Sequence, residues 1–354
     1  MNPLPPLKLI PNRVWRLYTG GALLDRFQGK AEEKDDVFPE EWVGSTTDAV
    51  NEGRDIPHEG LSFCRLGDQK VLLRTLLEEQ PEAMLGTRHA ERLGSSAGYL
   101  VKLLDSAIRL PIQAHPDRAF SEKHLDSSYG KTESWIILDT RTIDGVKPYV
   151  LFGFRPGVTR EHFADCYHRQ DVEGMIACHN RVEVKAGDIF IIPGGVPHAI
   201  GSGVFLVEVQ EPTDFVFQLD KKGPCWDLSP FQVHMDLGDE LMFDGFHFGD
   251  QDVLGEWHHH LDFNQMACGT HELLPAGIRT FFNAVLVKTD TSLVRPIANM
   301  IIGICTRGAG TVRSDTGEIS ISQGETFCLP ASLGKCEYIP TGGTLEVIET
   351  YPPA

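Results

Sequence analysis

The sequence contains no long hydrophobic run, no closely spaced cysteine pair and no excess of basic residues. No apolar stretch approaches the roughly 18 residues of a membrane-spanning helix, and the first residues lack the charged start and apolar core of a secretory signal. The eight cysteines form no Cys-x-x-Cys pair and no regular spacing, which predicts free thiols in a reducing compartment. We therefore expect a cytoplasmic protein that does not bind membranes.

The overall charge is strongly acidic. The formal net charge of -18 at pH 7 disfavours general electrostatic binding to nucleic acid or to an anionic membrane. An anionic small molecule would have to be bound by a few local cations, for which Lys102, Lys131 and Arg155 are candidates. The 354 residues suffice for two or three hydrophobic cores, and they leave the oligomeric state open.

One histidine is placed by its local sequence at the end of an apolar strand and a turn. Ile189–Ile192 is a short apolar run that predicts a strand, with Gly187 allowing the tight turn before it and Pro193–Gly195 ending it. His198 follows at a fixed place. The pattern Gly-x5-Pro-x-Gly-x2-His resembles the second half of the cupin signature, in which a small antiparallel barrel presents metal ligands to its own interior.

Three further metal-ligand candidates lie upstream of this histidine. Gln113 and His115 are two residues apart, so on a strand both side chains point to the same face. Glu133 opens an apolar strand and is expected to point the same way. Two nitrogens and two oxygens, with no cysteine, suit a catalytic divalent ion rather than a structural one. We expect one Zn²⁺ per chain with an open coordination position; manganese, iron and cobalt remain alternatives.

The motifs together resemble type I mannose-6-phosphate isomerases, a metal-dependent cupin family. Members carry a Q-x-H-P-[DN] strand, a K-[TP]-E strand and a P-x-G-x-x-H turn, and all three occur here in that order. Three other segments are similar to family elements: Phe38–Ser45, Tyr99–Asp105 and Glu208–Asp214. The resemblance covers about residues 10 to 350.

The resemblance implies an aldose-ketose isomerase that acts through a cis-enediol. The ion held by the four candidate ligands would supply the electrophile for the carbonyl oxygen. Glu208 matches a family glutamate and is our first candidate for the proton-transfer base, with Asp214 as the alternative. Its position in an apolar strand supports a function, because a buried carboxylate is costly unless it is paired or used. Lys131, beside a predicted ligand, is expected to neutralise oxyanion charge.

Two positions depart from the family pattern. Gln218 stands where members usually carry an arginine, and Pro111 stands where they carry a serine implicated in phosphate contact. Proline has neither a hydroxyl nor an N–H to donate. Three functions therefore remain open: an isomerase of mannose 6-phosphate and fructose 6-phosphate, an isomerase of another or an unphosphorylated sugar, and a non-catalytic sugar-binding cupin.

Strands dominate from Tyr99 onward. The apolar runs are short and separated by turn residues, a pattern typical of an all-β barrel; they are Trp135–Leu138, Tyr149–Phe152, Ile189–Ile192 and Val204–Val209. Residues 182–195 also align without gaps on residues 319–332, with glycine, phenylalanine and proline recurring in place. We therefore expect two cupin (jelly-roll) barrels in an all-β-dominated chain. Lys335 replaces His198 in the second copy, so that barrel should be metal-free.

Helices are expected in two places. Leu72–Glu79 and Pro81–Leu93 have apolar residues at helical spacing, and a connector helix is expected near Leu237–Phe243. The triplet His258–His260 lies in the same connector, and consecutive side chains point in different directions, so we expect a solvated or packing role for it. The expected division is an N-terminal metal-binding domain over residues 1–220 with a helical insertion around 70–95, a connector over 221–270 and a C-terminal domain over 271–354.

Overall fold

The computed structural model describes residues 4–249 and 252–354. Its strands are, in chain order, β1 Leu7–Leu9, β2 Arg13–Val14, β3 Glu40–Val43, β4 Phe63–Leu66, β5 Gln69–Leu72, β6 Leu100–Ser106, β7 Gln113–Ala114, β8 Glu133–Thr140, β9 Tyr149–Phe154, β10 His179–Glu183, β11 Asp188–Ile192, β12 His198–Ile200, β13 Val204–Gln210, β14 Phe217–Gln218, β15 His258–His260, β16 Gly269–Glu272, β17 Asn283–Thr289, β18 Leu293–Pro296, β19 Ile301–Arg307, β20 Ala309–Ser314, β21 Gly317–Ser322, β22 Thr326–Leu329, β23 Lys335–Pro340 and β24 Leu345–Tyr351.

The helices are shorter and lie mostly before residue 260. They are α1 Ala22–Phe27, α2 Leu73–Glu79, α3 Pro81–Leu85, α4 Thr87–Leu93, α5 Arg118–His124, α6 Arg160–His168, α7 Val172–Ala177, α8 Pro230–His234, α9 Asp239–Asp244 and α10 Val253–Trp257, with 3-10 helices at Ala276–Thr280 and Ala331–Leu333. The strand-dominated fold class is confirmed. None of the helices in the described residues has both the length and the apolar character that a membrane crossing requires.

The strands form two barrels, each built from a large and a small antiparallel sheet. In the N-terminal barrel the sheets have the orders β15-β11-β8-β13-β6-β3-β2 and β10-β9-β12-β7-β14. Aromatic and aliphatic side chains from both sheets fill the space between them, including Trp135 and Phe190 from the first and Phe152 and Ile200 from the second. In the C-terminal barrel the orders are β16-β17-β24-β19-β22-β1-β4-β5 and β18-β23-β20-β21.

The two barrels share one hydrophobic core along the outer faces of their large sheets. Val101 and Val207 from the N-terminal barrel belong to the same buried cluster as Ile302 and Ile348 from the C-terminal barrel. Strand side chains alternate between two faces, so each large sheet buries one face inside its own barrel and the other between the barrels. This explains why the strands read as continuous apolar runs rather than as a hydrophobic-polar alternation.

The outer face of the small N-terminal sheet is covered by a layer of helices. Leu151 and Ala199 on that face pack with Phe163 of α6, Met175 of α7 and Phe243 of α9. His198 and Ile200 flank Ala199 on the same strand, and Ile200 belongs to the barrel interior, so His198 points inward. The small sheet therefore separates an inward-facing metal-ligand candidate from an outward-facing helical layer.

The predicted helices differ from the observed ones at glycine and turn positions. The helix expected over Pro81–Leu93 is two helices, α3 and α4, because Gly86 between them has φ +90°. A Cβ there would lie 2.8 Å from the carbonyl oxygen of Ala298, so the site also requires a residue without a side chain. The connector holds α8, α9 and α10 rather than one helix, and α9 overlaps the segment predicted around Leu237–Phe243.

The start of the chain contributes to the C-terminal sheet. β1 pairs with β22 on one side and with β4 on the other, and β5 forms the sheet edge next to β4. The hydrogen bonding of residues 7–9 and 63–72 thus joins them to the large sheet of the C-terminal barrel. The division into residues 1–220, 221–270 and 271–354 remains a prediction. It assigns β1, β4 and β5 to the N-terminal domain, although these strands pair within the large sheet of the C-terminal barrel.

The triplet His258–His260 forms β15, the edge strand beside β11. The ring of His258 stacks on Phe190 at 4.3 Å between centroids, and His260 Nδ1 lies 2.9 Å from the Asp188 carboxylate. His259 points elsewhere, with Nε2 3.0 Å from the Leu273 carbonyl oxygen. These divergent contacts are those of packing residues.

Candidate functional site

Three side chains predicted as ligands converge inside the N-terminal barrel. Glu133 opens β8 beside the end of β11, and His198 opens β12 directly opposite Gln113 of β7. His115 follows β7 by one residue. The turn that delivers His198 depends on Gly194, where a Cβ would lie 2.6 Å from the Cα of Asp117. The strand ends and this close backbone approach therefore fix where the side chains meet.

The distances among these side chains fit a shared ion. His115 Nε2 lies 3.2 Å from Glu133 Oε2, and His198 Nε2 lies 3.3 Å from Glu133 Oε1. Atoms held about 2.0–2.2 Å from one tetrahedral ion lie roughly 3.3–3.6 Å apart. His115 Nε2, His198 Nε2 and Glu133 Oε2 are fully buried and have no hydrogen-bond partner of acceptable geometry. Buried polar atoms are rarely left unpaired, so these three are suited to a cation between them.

Backbone carbonyls orient both imidazole rings. His115 Nδ1 lies 2.8 Å from the carbonyl oxygen of Phe215, and His198 Nδ1 lies 2.9 Å from that of Val196. A carbonyl only accepts, so each Nδ1 donates its proton and each Nε2 presents a lone pair to the centre. The arrangement fixes the tautomer that a metal ligand needs.

The local electrostatics keep the rings neutral and the carboxylate charged. Burial, helped by the neighbouring Lys131, lowers the pKa of His115 to about 3, and burial also lowers the pKa of His198. Burial alone would raise the pKa of Glu133, but its contacts with His115 and Lys131 hold that pKa well below its usual range; because the ring of His115 is neutral, the positive charge beside the carboxylate is that of Lys131. Neutral imidazole and ionised carboxylate are the forms that bind a metal.

A cavity of about 400 Å³ opens beside this cluster. All three residues predicted for catalysis line it, and so do both positions that depart from the family pattern; the polar lining residues include Arg16, Glu40, Lys102, Gln113, Lys131, Glu208, Asp214 and Gln218. Gln113 is half-buried and stands opposite His198, so it reaches both the cavity and the strand that carries a ligand. Its role as fourth ligand remains a prediction.

Glu208 forms a buried pair with a lysine. Its Oε1 lies 3.1 Å from Lys102 Nζ, and both side chains are about 5% exposed or less. Burial raises the pKa of Glu208, and Lys102 opposes that effect. A carboxylate whose pKa is shifted towards neutrality, in a cavity, is a candidate for proton transfer.

The other two predicted catalytic residues have different settings. Lys131 Nζ lies 3.6 Å from Glu133 Oε2, between the ligand cluster and the cavity. Asp214 is held by Arg16, 3.4 Å away, and accepts a hydrogen bond from the backbone N–H of Val50. The hydrogen bonds and the ion pair leave Asp214 less free than Glu208 to exchange a proton.

The sequence analysis missed an ion-pair network on the cavity wall. Glu40 lies 3.1 Å from Arg16 Nε and accepts hydrogen bonds from Tyr18 Oη and Trp42 Nε1. Glu40 and Trp42 are two residues apart on β3, so their side chains lie on the same face of the strand. This spacing is the one feature of the sequence that indicates a contact between them. Arg16 gave no such signal, because its carboxylate partners Glu40 and Asp214 are distant from it in the sequence.

The departing positions lie in the cavity, and so do two of the three candidate cations, Lys102 and Lys131. Gln218 Nε2 donates to the carbonyl oxygen of Gln232 at 3.0 Å, and Pro111 lines the wall. Lys102 lines the same cavity, whereas Arg155 lines a separate pocket beneath α6 and α7. Arg155 is thus not a candidate for binding an anion beside the ligand cluster.

The comparisons agree with the resemblance predicted from the motifs. No protein-family model matches the sequence. A curated relative from Bacillus subtilis (strain 168), described as "Probable mannose-6-phosphate isomerase GmuF", is 24% identical over 274 residues, which span 75% of this chain and 79% of the relative. A second, the mannose-6-phosphate isomerase ManA of the same organism, is 28% identical over 192 residues, or 52% of this chain and 58% of the relative.

Solved structures match the whole fold. The crystal structure of the mannose 6-phosphate isomerase from Bacillus subtilis superposes with a TM-score of 0.70 at 19% identity, covering 98% of this chain and 99% of that one. A mannose 6-phosphate isomerase described as holo and zinc-bound superposes with a TM-score of 0.73 at 17% identity, covering 99% and 100%. At these identities the structural likeness establishes the two-barrel fold. The curated relatives named above carry the isomerase description that the motifs predicted.

Removing one imidazole from the ligand cluster should prevent the barrel site from holding its metal ion. We expect His198→Ala to bind one divalent ion per chain fewer than the unmodified protein, because the barrel site with one ligand fewer binds metal far more weakly. Metal analysis of protein reconstituted with zinc measures this. The control is the joint replacement of His258, His259 and His260 by alanine, which should keep the barrel ion; loss of that ion in the control would contradict the assignment.

The buried Glu40 network should make the free energy of unfolding depend on pH in the acidic range. Burial would raise the pKa of Glu40, but Arg16 and Lys102 outweigh it and lower it from 4.5 to about 2. Its stabilisation is therefore complete above pH 4.5 and is lost as the pH falls towards 2. We expect Glu40→Gln to reduce the free energy of unfolding at pH 7 and to flatten its decline between pH 5 and 2, measured by urea unfolding.

The exposed carboxylate of Glu122 provides the control for this experiment. Glu122→Gln should leave the pH dependence close to that of the unmodified protein. An equally steep decline in Glu40→Gln would show that the pairing of Glu40 does not carry it.

Proposed function

We propose that this protein is a metal-dependent aldose-ketose isomerase that interconverts mannose 6-phosphate and fructose 6-phosphate. The observation that carries the proposal is the cluster of His115, Glu133 and His198, whose unpaired metal-binding atoms lie next to a cavity containing a buried, lysine-paired carboxylate. We propose Zn²⁺ as the ion, with Gln113 as the fourth ligand. The curated relatives, described as mannose-6-phosphate isomerases, support the reaction.

Each step of the reaction has a residue suited to it. An ion held by His115, Glu133 and His198 would supply a Lewis acid that polarises the carbonyl group of the open-chain sugar. Glu208 takes the proton from one of these carbons and returns it to the other, which passes the sugar through a cis-enediol. Lys102, 3.1 Å from Glu208, opposes the rise that burial causes in the pKa of that carboxylate and so favours its ionised form.

Lys131 and Asp214 complete the proposed site. Lys131 lies beside the ligand Glu133 and in the cavity wall, where its charge offsets the negative charge that develops on the enediol oxygens. Asp214 pairs with Arg16 at 3.4 Å and so positions this second cation in the cavity lining. The eight cysteines are free thiols, which supports our assignment of the protein to the reducing cytoplasm.

One observation favours a second candidate, an isomerase of an unphosphorylated or different sugar. Each cation of the cavity already has a carboxylate within 3.6 Å: Arg16 has Glu40, Lys102 has Glu208, and Lys131 has Glu133. Gln218 and Pro111 add no charged donor. A phosphate would have to compete with these carboxylates for any of the three cations.

Glu208 should be essential for turnover but not for metal. We expect Glu208→Gln to lower kcat by roughly 10²–10⁴, since general-base catalysis contributes about that much, with metal content unchanged. Conversion of mannose 6-phosphate, followed together with solvent-deuterium incorporation into the sugar, measures the proton transfer itself. Normal turnover in this variant would remove Glu208 from the mechanism.

The chain offers a matched control for this variant. Lys288 and Glu346 form another buried cross-strand pair, 3.0 Å apart and less than 10% exposed, in the C-terminal barrel. Glu346→Gln breaks a similar pair far from the cavity lining and should leave turnover unchanged. A comparable loss in both variants would attribute the effect to destabilised folding.

Adding a cationic side chain to the cavity tests whether the protein prefers a phosphorylated or an unphosphorylated sugar. If the cavity binds phosphate poorly, Gln218→Arg should improve kcat/KM for mannose 6-phosphate, by about ten- to a hundredfold for a charge-assisted contact of roughly 1.5–3 kcal/mol. Kinetics on mannose and mannose 6-phosphate, for both proteins, measure this. A strong preference of the unmodified protein for the phosphosugar, with no gain from the arginine, would show that an existing cation such as Arg16 or Lys102 already binds the phosphate.

A further inference from the structure

A second group of metal-binding side chains lies outside the barrel, in the helical layer. His162, Cys166 and Cys178 each offer one ligand atom, and these atoms all lie within 4.8 Å of one another. The two cysteines belong to the buried cluster on the outer face of the small sheet, whereas His198 points into the barrel on the other face. The group is therefore separate from the proposed isomerase site and does not depend on it.

Two capped helices hold these three residues in place. His162 and Cys166 are four residues apart on α6, so their side chains are neighbours on one face. Thr159 caps α6, and Asp171 caps α7 by accepting from the Gly174 N–H. Cys178 ends α7, and its carbonyl oxygen accepts a hydrogen bond of 2.8 Å from the Arg155 N–H. Helix packing and strand contact thus set the position of each ligand before any ion binds.

The group is buried on one side and open on the other. Cys166 and Cys178 are 2% and 3% exposed, and their sulfur atoms lie within 4.8 Å of each other. His162 is exposed and lines, together with Cys178, a surface pocket of about 310 Å³. The nearby guanidinium of Arg155 is directed to the Ala177 carbonyl oxygen, 3.4 Å away. An ion among the three residues would have protein on one side and room for a water ligand on the other.

We propose that His162, Cys166 and Cys178 form a second metal site, selective for a thiophilic divalent ion such as Zn²⁺. Two thiolates and one imidazole are the donors that such ions prefer, in contrast to the carboxylate and imidazoles inside the barrel. The two thiolates balance the ion's two positive charges. Each metal–sulfur bond replaces an S–H bond, so binding releases two protons to solvent per ion and changes no oxidation state.

Occupation of this site would cross-link α6 to the end of α7 through metal–ligand bonds. α6 carries two of the ligands and the end of α7 carries the third, next to the start of β10. The ion would therefore stabilise the helical layer against the sheet without touching the cavity. Because a folded site binds an ion that the unfolded chain binds poorly, occupation should raise the unfolding temperature.

Cadmium and cobalt ions test the site with a signal that the barrel site cannot give. A sulfur-to-metal charge-transfer band appears only when a thiolate binds, and the barrel cluster contains no sulfur. We expect reduced, full-length protein to develop this band on titration with Cd²⁺ or Co²⁺, saturating at one ion per chain, with two protons released. His198→Ala should keep the band.

Single substitutions assign the ligands. Cys166→Ser and Cys178→Ser should abolish the band, and His162→Asn, a surface change, should weaken Cd²⁺ binding at least about tenfold. The exposed Cys225 is the control, and Cys225→Ser should leave the titration unchanged. Circular dichroism of each variant checks that it is folded, and His162→Asn decides the question if a buried serine is not tolerated.

Two results would overturn the proposal: no band in the reduced protein, or a band that all three substitutions leave intact. A count of free thiols in denatured, unreduced protein covers the remaining possibility. If it is two below the eight cysteines of the sequence, Cys166 and Cys178 have oxidised to a disulfide. The band must then appear after reduction, and its absence at that point also overturns the site.

Discussion

The carboxylate of Glu133 is the constraint on which the site depends. It is 1% exposed, in the interior of the N-terminal barrel, and it has two imidazoles and a lysine within 3.6 Å. A charge at this depth is costly unless it is compensated. Neutral rings fixed by backbone carbonyls compensate it only in part, so the barrel is built around a place for a cation.

The two barrels have similar frames but different interiors. In the C-terminal barrel the buried Glu349 is paired with Arg295 at 2.7 Å and accepts a hydrogen bond from Tyr338, so protein atoms satisfy this carboxylate. Lys335, which replaces the ligand histidine, is exposed on the surface. In the C-terminal barrel, protein side chains thus satisfy the buried carboxylate. In the N-terminal barrel, the buried carboxylate of Glu133 lies next to a cavity.

The sequence predicted what local chemistry determines. His198 was found because glycine and proline fix the turn that carries it, and His115 and Glu133 because each lies at a strand end within a recognisable motif. Arg16 was missed because its partners, Glu40 and Asp214, are distant in the chain and the fold alone joins them. Cys166 and Cys178 were interpreted as unrelated free thiols for the same reason. Their spacing in the sequence does not indicate a contact, and only the packing of α6 against α7 brings the two side chains together.

The pairing of β1 has a consequence for how the chain folds during synthesis. β1 spans residues 7–9, near the start, yet it lies between β4 and β22, which spans residues 326–329. The ribosome must therefore produce nearly the whole protein before this strand has its second neighbour. The entropy cost of closing so long a loop is therefore borne at the final stage of folding. Until then the side of β1 that will pair with β22 is an unpaired edge, exposed to other chains.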